Sequence, residues 1–92
     1  MPKSSLENFE VVLKNGVNTF VGQGKDLAEA CNSLTSDWKA TSGGKINGRS
    51  LVKLIHKDKV AEISLFPLMA RRFLQNKITK IVLGKRLMIL LK

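Results

Sequence analysis

The sequence has 92 residues, which is enough for one domain with a small core. Its 16 Lys and Arg against 7 Asp and Glu give a net charge of +9, and 43% of the residues are hydrophobic. One cysteine and one histidine are too few for an intramolecular disulfide or a metal site. The chain has no run of about 18 apolar residues that could span a membrane and no apolar signal-peptide core at its start. We therefore expect an intracellular protein that needs no metal or other cofactor.

The excess positive charge lies in the second half of the chain. Residues 1–44 carry four Lys/Arg and five Asp/Glu, a net charge of −1, whereas residues 45–92 carry twelve Lys/Arg and two Asp/Glu, a net charge of +10. Positive charge concentrated on one part of a domain is typical of nucleic-acid-binding proteins. A merely soluble basic surface and attachment to an anionic membrane surface are the alternatives.

The first residues of the chain predict an arm, a strand and a connector. Residues 1–8 are polar and are expected to form a flexible arm before a single domain over residues 9–92. Phe9–Leu13, FEVVL, predicts a strand that ends at the turn signal Lys14-Asn15-Gly16. Val17–Gly24, with its glycines and Asn18, predicts a connector.

Asp26–Lys39 predicts the first helix. Asp26 and Glu29 have the spacing of a capping box, in which carboxylates satisfy free N–H groups at the helix start. The apolar residues of the segment recur at helical spacing: Leu27, Ala30, Cys31, Leu34 and Trp38. Ala40–Gly48 then predicts a Gly-rich loop, which lacks the spacing of a P-loop but whose Lys45 could approach a phosphate.

The second half predicts a hairpin and a short basic helix. Arg49–His56 and Lys59–Leu65 read as two strands joined by a turn at Lys57-Asp58. Phe66–Lys77 reads as a helix in which Pro67 suits the first turn, because its missing N–H costs nothing there. Its apolar residues are expected to face the sheet and its arginines to face outward.

The last segment predicts a second hairpin. Ile78–Leu83 and Arg86–Leu91 are rich in strand-forming residues, and Gly84-Lys85 between them suits a type II′ turn. The predicted order is β-α-β-β-α-β-β, an α+β fold with two helices packed on a small sheet.

No arrangement of residues points to catalysis. His56 is the only histidine, and a lone histidine beside a turn is more often exposed or packed on a strand than catalytic. Cys31 lies on the apolar stripe of the first helix and reads as a small core residue. The carboxylates are scattered, with no pair suited to acid and base catalysis. We expect no enzymatic activity.

Two segments resemble a known family. Ala70–Ile78, ARRFLQNKI, resembles the T-K-K-Y-L-K-K-N-N-L stretch of the eukaryotic large-subunit ribosomal protein "L twenty-two" family, and Gly44–Gly48, GKING, resembles its K-V-N-G-K loop. The family's order of strand, helix, basic loop, hairpin, basic helix and final hairpin is similar to the predicted order. The chain departs from the family in lacking a further K-R-Y-L turn at the start of the basic helix.

The resemblance implies a function and a set of contacts. It implies a structural component of the large ribosomal subunit in the cytoplasm, bound to ribosomal RNA and neighbouring ribosomal proteins, with no membrane and no small-molecule substrate as partner. The match places Arg71 and Arg72 on the family's basic pair, Lys77 on the basic end of the helix, and Lys45 on the loop lysine.

Position and charge extend the predicted RNA-binding residues beyond that match. Arg49 and Lys53 join the set because they lie in the basic half, close to the loop. Further basic residues, at least half of which are expected to be simply solvated, are Lys57, Lys59, Lys80, Lys85 and Arg86.

Two alternative functions remain open. Gly16–Leu65, and Asn47–Leu54 in particular, is similar to the bacterial histidine phosphocarrier protein. That family's phosphorylated histidine would lie just after Gly16, where this chain has Val17–Phe20 and no histidine, so a regulatory module without the phosphotransfer chemistry is implied. A viral nucleic-acid-binding protein is the other alternative.

Overall fold

Four strands and three helices make up the protein in its computed structural model, which describes residues 8–91. The elements follow the order β-β-α-β-β-α-α: β1 (Phe9–Asn15), β2 (Asn18–Gly24), α1 (Leu27–Ser42), β3 (Ser50–His56), β4 (Lys59–Leu65), α2 (Pro67–Gln75) and α3 (Lys77–Leu90). The predicted α+β class is confirmed, with three helices in place of the predicted two. The predicted arm over residues 1–8 lies outside the described residues except for its last residue.

The strands form one antiparallel sheet in the order β2-β1-β3-β4. Tight turns join each hairpin: Gly16 has a φ of 63° in the first, and Lys57 and Asp58 have φ values of 52° and 65° in the second. Two successive residues with positive φ are typical of the type I′ turn, whose twist suits a two-residue hairpin connection. The predicted hairpin over Arg49–Leu65 is therefore confirmed.

The core lies between one face of the sheet and the helices. Strand residues alternate between faces, and Leu13 with its paired neighbours Phe20 and Val52 points toward the helices. The buried cluster is Val11, Leu13, Phe20, Ala30, Cys31, Leu34, Trp38, Ile46, Val52, Leu54, Ala61, Leu65, Ala70, Phe73, Leu74, Leu83 and Leu87. Its sheet members all come from the same face, so the other face of the sheet is not covered by any element within residues 8–91.

Helix α1 begins as its sequence predicts. The Asp26 carboxylate accepts a hydrogen bond from the Glu29 N–H at 2.8 Å, and the Glu29 carboxylate accepts one from the Lys25 N–H at 3.0 Å. These bonds confirm the predicted capping interaction. The helix continues past Lys39, its predicted end, to Gly43, whose left-handed backbone conformation stops it.

The segment predicted as a connector, Val17–Gly24, contains the edge strand β2 instead. Phe20 and Gly22 are buried on its helix-facing side. A Cβ at Gly22 would overlap the backbones of Ala30 and Leu34, so the missing side chain is what lets α1 lie this close to β2. A glycine that suggests a loop thus marks a close approach between helix and strand.

The predicted final hairpin is wrong, because Ile78–Leu83 and Arg86–Leu91 lie in or at the end of one helix, α3. The buried residues of α3 share one helix face: Leu83, Gly84 and Leu87. Gly84, predicted to form the turn, packs over Leu27 of α1, whose Cδ2 would lie 3.0 Å from an added Cβ. Burial of this stripe overrides the weak preference of Ile and Val for strands.

Helix α2 forms where the sequence predicts a basic helix over Phe66–Lys77. Pro67 occupies its first position, as expected for a residue without an N–H. The prediction that its apolar residues face the sheet is confirmed for Phe73 and Leu74, which are buried. It is wrong for Leu68 and Met69, which are 57% and 39% exposed. None of the three helices within residues 8–91 is long and apolar enough to cross a membrane.

Candidate nucleic-acid interface

Arg71 and Arg72 are exposed on α2, as the sequence predicts. The residues buried on the opposite side of the helix are Ala70, Phe73 and Leu74. Successive residues are about 100° apart around an α-helix, so the two guanidinium groups leave α2 on two different flanks. Arg72 is on the flank beside α3, where it lines a groove together with Ile78 and Arg86.

Asn76 alone joins α2 to α3. Its backbone N–H donates to the Arg72 carbonyl at 2.7 Å, which ends α2. Its side-chain oxygen accepts from the Thr79 N–H at 3.0 Å and its carbonyl from the Lys80 N–H at 2.9 Å, which start α3. Because one residue caps both helices, Asn76 fixes where α2 ends after Arg72 and where α3 begins at Lys77.

The basic residues of α3 are distributed along two grooves. Lys77, Lys80 and Lys85 line a groove of about 270 Å³ between α1 and α3. The other residues of that groove are Leu27, Ala28, Cys31, Asn32 and Ile81. Arg72 and Arg86 line a second groove, of about 290 Å³, between α2 and α3. We call Arg71, Arg72, Lys77, Lys80, Lys85 and Arg86 the basic helix pair.

The basic helix pair has no acidic residue to balance it. No Asp or Glu occurs from Phe66 to the end of the sequence. Within residues 8–91 a single ion pair is present, between Lys53 and Glu62 of the hairpin, so none of the six cations is neutralised by an ion pair. Concentrated and uncompensated positive charge of this kind attracts an anionic partner.

Lys80 differs from the other five because it is partly buried. Its Nζ donates to Thr35 Oγ1 at 3.0 Å and to Asn32 Oδ1 at 3.4 Å, and burial lowers its pKa from the usual lysine value. Burial also raises the pKa of the nearby Cys31 thiol to about 11, against the smaller opposing effect of the Lys80 charge. The thiol is therefore protonated at neutral pH and unsuited to nucleophilic attack, as expected for a core cysteine.

The loop between α1 and β3 is held by three side chains: those of Trp38, Asn15 and Ser42. Ser42 Oγ accepts from the Gly44 N–H at 3.2 Å and from the Lys45 N–H at 3.3 Å. Trp38 Nε1 donates to the Lys45 carbonyl at 2.8 Å. The Asn15 amide donates to the carbonyls of Asn47 at 2.8 Å and Arg49 at 3.1 Å, and its oxygen accepts from the Asn47 N–H at 3.1 Å. The loop backbone is thus ordered by the core while the Lys45 and Arg49 side chains remain exposed.

Arg49 connects this loop to the start of α2. Its guanidinium carbon lies 4.5 Å from the centroid of the Phe66 ring, a cation–π contact. Phe66 directly precedes Pro67 and is 65% exposed, so the contact positions the guanidinium without burying it. The loop cations and α2 are therefore neighbouring parts of the protein surface.

Lys53, a predicted RNA-binding residue, does not belong to this surface. Its neighbours Val52 and Leu54 point toward the helices, so Lys53 points to the open face of the sheet. There its Nζ lies 3.6 Å from Glu62 Oε2. A partner that contacts the basic helix pair would not reach it. Of the six predicted residues, Arg71, Arg72 and Lys77 come together and Lys45 and Arg49 adjoin them.

Four residues of the surface lie outside the predicted RNA-binding set: Phe66, Lys80, Lys85 and Arg86. Lys85 and Arg86 were assigned to a hairpin turn and strand by their sequence pattern, but both are exposed on α3. The spacing of Leu83, Leu87 and Leu91 is the sequence signal that favours the helix instead. Phe66 stacks on Arg49 without any local pattern that predicts it.

The lone histidine has a packing role. The His56 ring stacks on Phe9, with 3.9 Å between ring centroids, and its Nδ1 lies 3.2 Å from the Asn8 carbonyl oxygen. No group of three His, Cys, Asp or Glu that could hold a metal ion occurs in the part of the chain that the structure describes.

Comparison with known proteins yields no relative: no protein-family model, no curated protein and no solved structure matches the chain. The resemblance to the ribosomal protein family thus rests on Ala70–Ile78 and Gly44–Gly48, because strand β2 before α1 departs from the family order of elements. The final hairpin that this resemblance implied is replaced by α3.

Proposed function

We propose that this protein binds RNA through the basic helix pair, with Lys45 and Arg49 as an adjoining contact. The observation that supports this most is that α2 and α3 carry six cations and no Asp or Glu, and that none of the six is in an ion pair within residues 8–91. Phosphate groups are the natural partner of such a surface, and neutralising them releases counterions and drives binding.

Each element has a distinct part in this proposal. Arg71 and Arg72 present forked donors that suit phosphate oxygens, on two flanks of α2. Lys77, Lys85 and Arg86 extend the contact along α3. Because these are backbone contacts, the protein would recognise the shape of a folded RNA more than its base sequence.

A finer proposal rests on the resemblance at Ala70–Ile78 and Gly44–Gly48. It is that the RNA is ribosomal RNA and that the protein is a structural constituent of the cytoplasmic large ribosomal subunit, beside neighbouring ribosomal proteins. Co-sedimentation of the protein with large subunits through a high-salt wash tests this step. Loss of the protein from the subunits under that wash would reject the ribosomal assignment without rejecting RNA binding.

Filter binding to structured RNA over a salt series tests the general proposal. We expect affinity to fall with salt, and Arg71→Ala/Arg72→Ala to weaken binding at least tenfold and to flatten the slope by about 0.7–0.9 per lost phosphate contact. Lys14→Ala/Lys57→Ala is the matched control, since it removes the same charge from exposed positions outside the helix pair. Salt-independent binding, or equal losses in the two variants, would contradict the proposal.

A further inference from the structure

Helix α3 is apolar on both of its faces, but this chain covers only one of them. Leu83 and Leu87 are buried against the core. On the outward side Ile78 is 74% exposed, Val82 57% and Ile89 83%. A helix that is apolar all round is normally covered all round. We call these three outward residues the aliphatic crest.

Cations border the aliphatic crest on both sides. Lys77 lies on the side of the groove with α1, and Arg72 and Arg86 lie on the side of the groove with α2. Lys85 stands in the same helical stripe as the crest, between Val82 and Ile89. Long basic side chains beside an apolar stripe can keep their charge in water while their stems and the stripe enter an apolar phase. No Asp or Glu occurs from Phe66 onward to repel an anionic surface.

We propose that α3 lies on an anionic lipid surface, with the aliphatic crest in the headgroup region and the flanking cations on lipid phosphates and carboxylates. A helix of 14 residues is about 21 Å long, which is too short to cross a bilayer but sufficient to lie in its surface. Several cations beside exposed apolar side chains, as on α3, are typical of binding to anionic lipids. The expectation of no membrane partner is implied by the family resemblance, and attachment to an anionic membrane surface is the alternative that the charge distribution leaves open.

Other occupants account for less of what the surface shows. RNA would use the cations but would leave the aliphatic crest in water. A second copy of the chain would bring two surfaces of the same charge together, with no carboxylate between them. An acidic helix of a partner protein would fill only one groove. Exposed aliphatic residues line both, with Ile78 and Val82 in the groove with α2 and Ile81 in the groove with α1.

Vesicle sedimentation with the full chain tests the proposal. We expect the protein to sediment with vesicles made of equal parts phosphatidylcholine and phosphatidylserine, and to stay in solution with phosphatidylcholine alone. Ile78→Ser/Ile89→Ser keeps every charge and should weaken binding to the anionic vesicles at least tenfold. Val17→Ser is the matched control, because Val17 is fully exposed in the β1–β2 turn, and it should bind as the parent does.

Measuring RNA binding of the same variants separates this proposal from the proposed function. Ile78→Ser/Ile89→Ser should bind RNA within about twofold of the parent, whereas Lys85→Gln/Arg86→Gln should weaken both RNA and vesicle binding, by about fivefold per charge on vesicles. Absence of vesicle binding, or vesicle binding that Ile78→Ser/Ile89→Ser leaves unchanged, would overturn the lipid proposal. A dimer in lipid-free solution that Ile78→Ser/Ile89→Ser abolishes would also overturn it. The same holds if the protein binds an acidic amphipathic peptide but does not bind vesicles.

Discussion

Helices α1 and α3 pack side by side but leave opposite kinds of surface. Helix α1 buries Ala30, Cys31, Leu34 and Trp38 and shows water a polar face. Helix α3 buries Leu83 and Leu87 and shows water Ile78, Val82 and Ile89 between cations. Helix α1 starts with Asp26 and Glu29, whereas α3 starts with the neutral Asn76 followed by Lys77.

The difference separates the half of the chain whose charges are nearly balanced from the half whose charges are not. The first half carries a net charge of −1 and satisfies its helix start with its own carboxylates. The second half concentrates its positive charge on α2 and α3 and leaves aliphatic side chains in water, both of which are unfavourable for an isolated domain. Both halves contribute to the core, but the unbalanced charge and the exposed aliphatic side chains of the second half are available to a partner.

The largest test of this contrast compares a buried residue of α1 with an exposed one of α3. Leu34→Ala should lower the free energy of unfolding by about 2–5 kcal/mol, because it opens a cavity in the core. Ile89→Ala should change it by no more than about 0.5 kcal/mol. Urea denaturation of the isolated protein measures both. A large effect of Ile89→Ala that depends on protein concentration would show that another copy covers α3.

The free energy of unfolding should fall at high pH because of the buried thiol between α1 and α3. The Cys31 thiol, with its pKa raised from 9.0 to about 11 by burial, keeps a proton that the unfolded chain releases. The resulting stability is complete below pH 9 and is lost as the pH rises toward 11, by up to about 2 kcal/mol. The pKa of Lys80 is lowered by burial, so its contribution changes in the opposite direction and offsets part of the loss. Urea denaturation of the parent and of Cys31→Ala across this range should show the decline in the parent only.

The smallest test compares the two helix starts. Asp26→Ala and Asn76→Ala each remove a side-chain cap and should each cost about 1 kcal/mol of stability. Only Asn76→Ala should also weaken RNA binding, because Asn76 holds Arg72 and Lys77 in place. Urea denaturation measures the stability of both variants, and filter binding measures their affinity for RNA. Equal RNA affinities would show that Asn76 does not position the proposed interface.

The parts of the fold that the sequence predicts are those with local chemical signals. The cap at Asp26, the apolar stripe of α1 and Pro67 at the start of α2 each depend on residues within one or two turns. Strand β2 is missed because Gly22, which permits close packing with α1, also reads as a loop residue. Helix α3 is missed because a segment that is apolar on both faces has no clear period, and Gly84 suggests a turn.

The candidate surface is predictable in composition but not in arrangement. The arginine pair and Lys77 stand out by charge and by their place on a short helix. That Lys53 faces away depends on strand alternation and on which face the helices cover. The stacking of Arg49 on Phe66 and the bonds from Asn15 to the loop join residues far apart in sequence, so no local pattern reveals them.

The bonds made by Asn15 also say when the basic loop can become ordered during folding. They connect residues 32 to 34 positions apart, so the entropy of closing that length of chain must be overcome before any of them forms. Pairing of β1 with β3, which sets Leu13 opposite Val52, brings Asn15 to the loop. The end of the loop near Arg49 therefore depends on the centre of the sheet, whereas Lys45 is held by a bond from Trp38 that spans only seven residues.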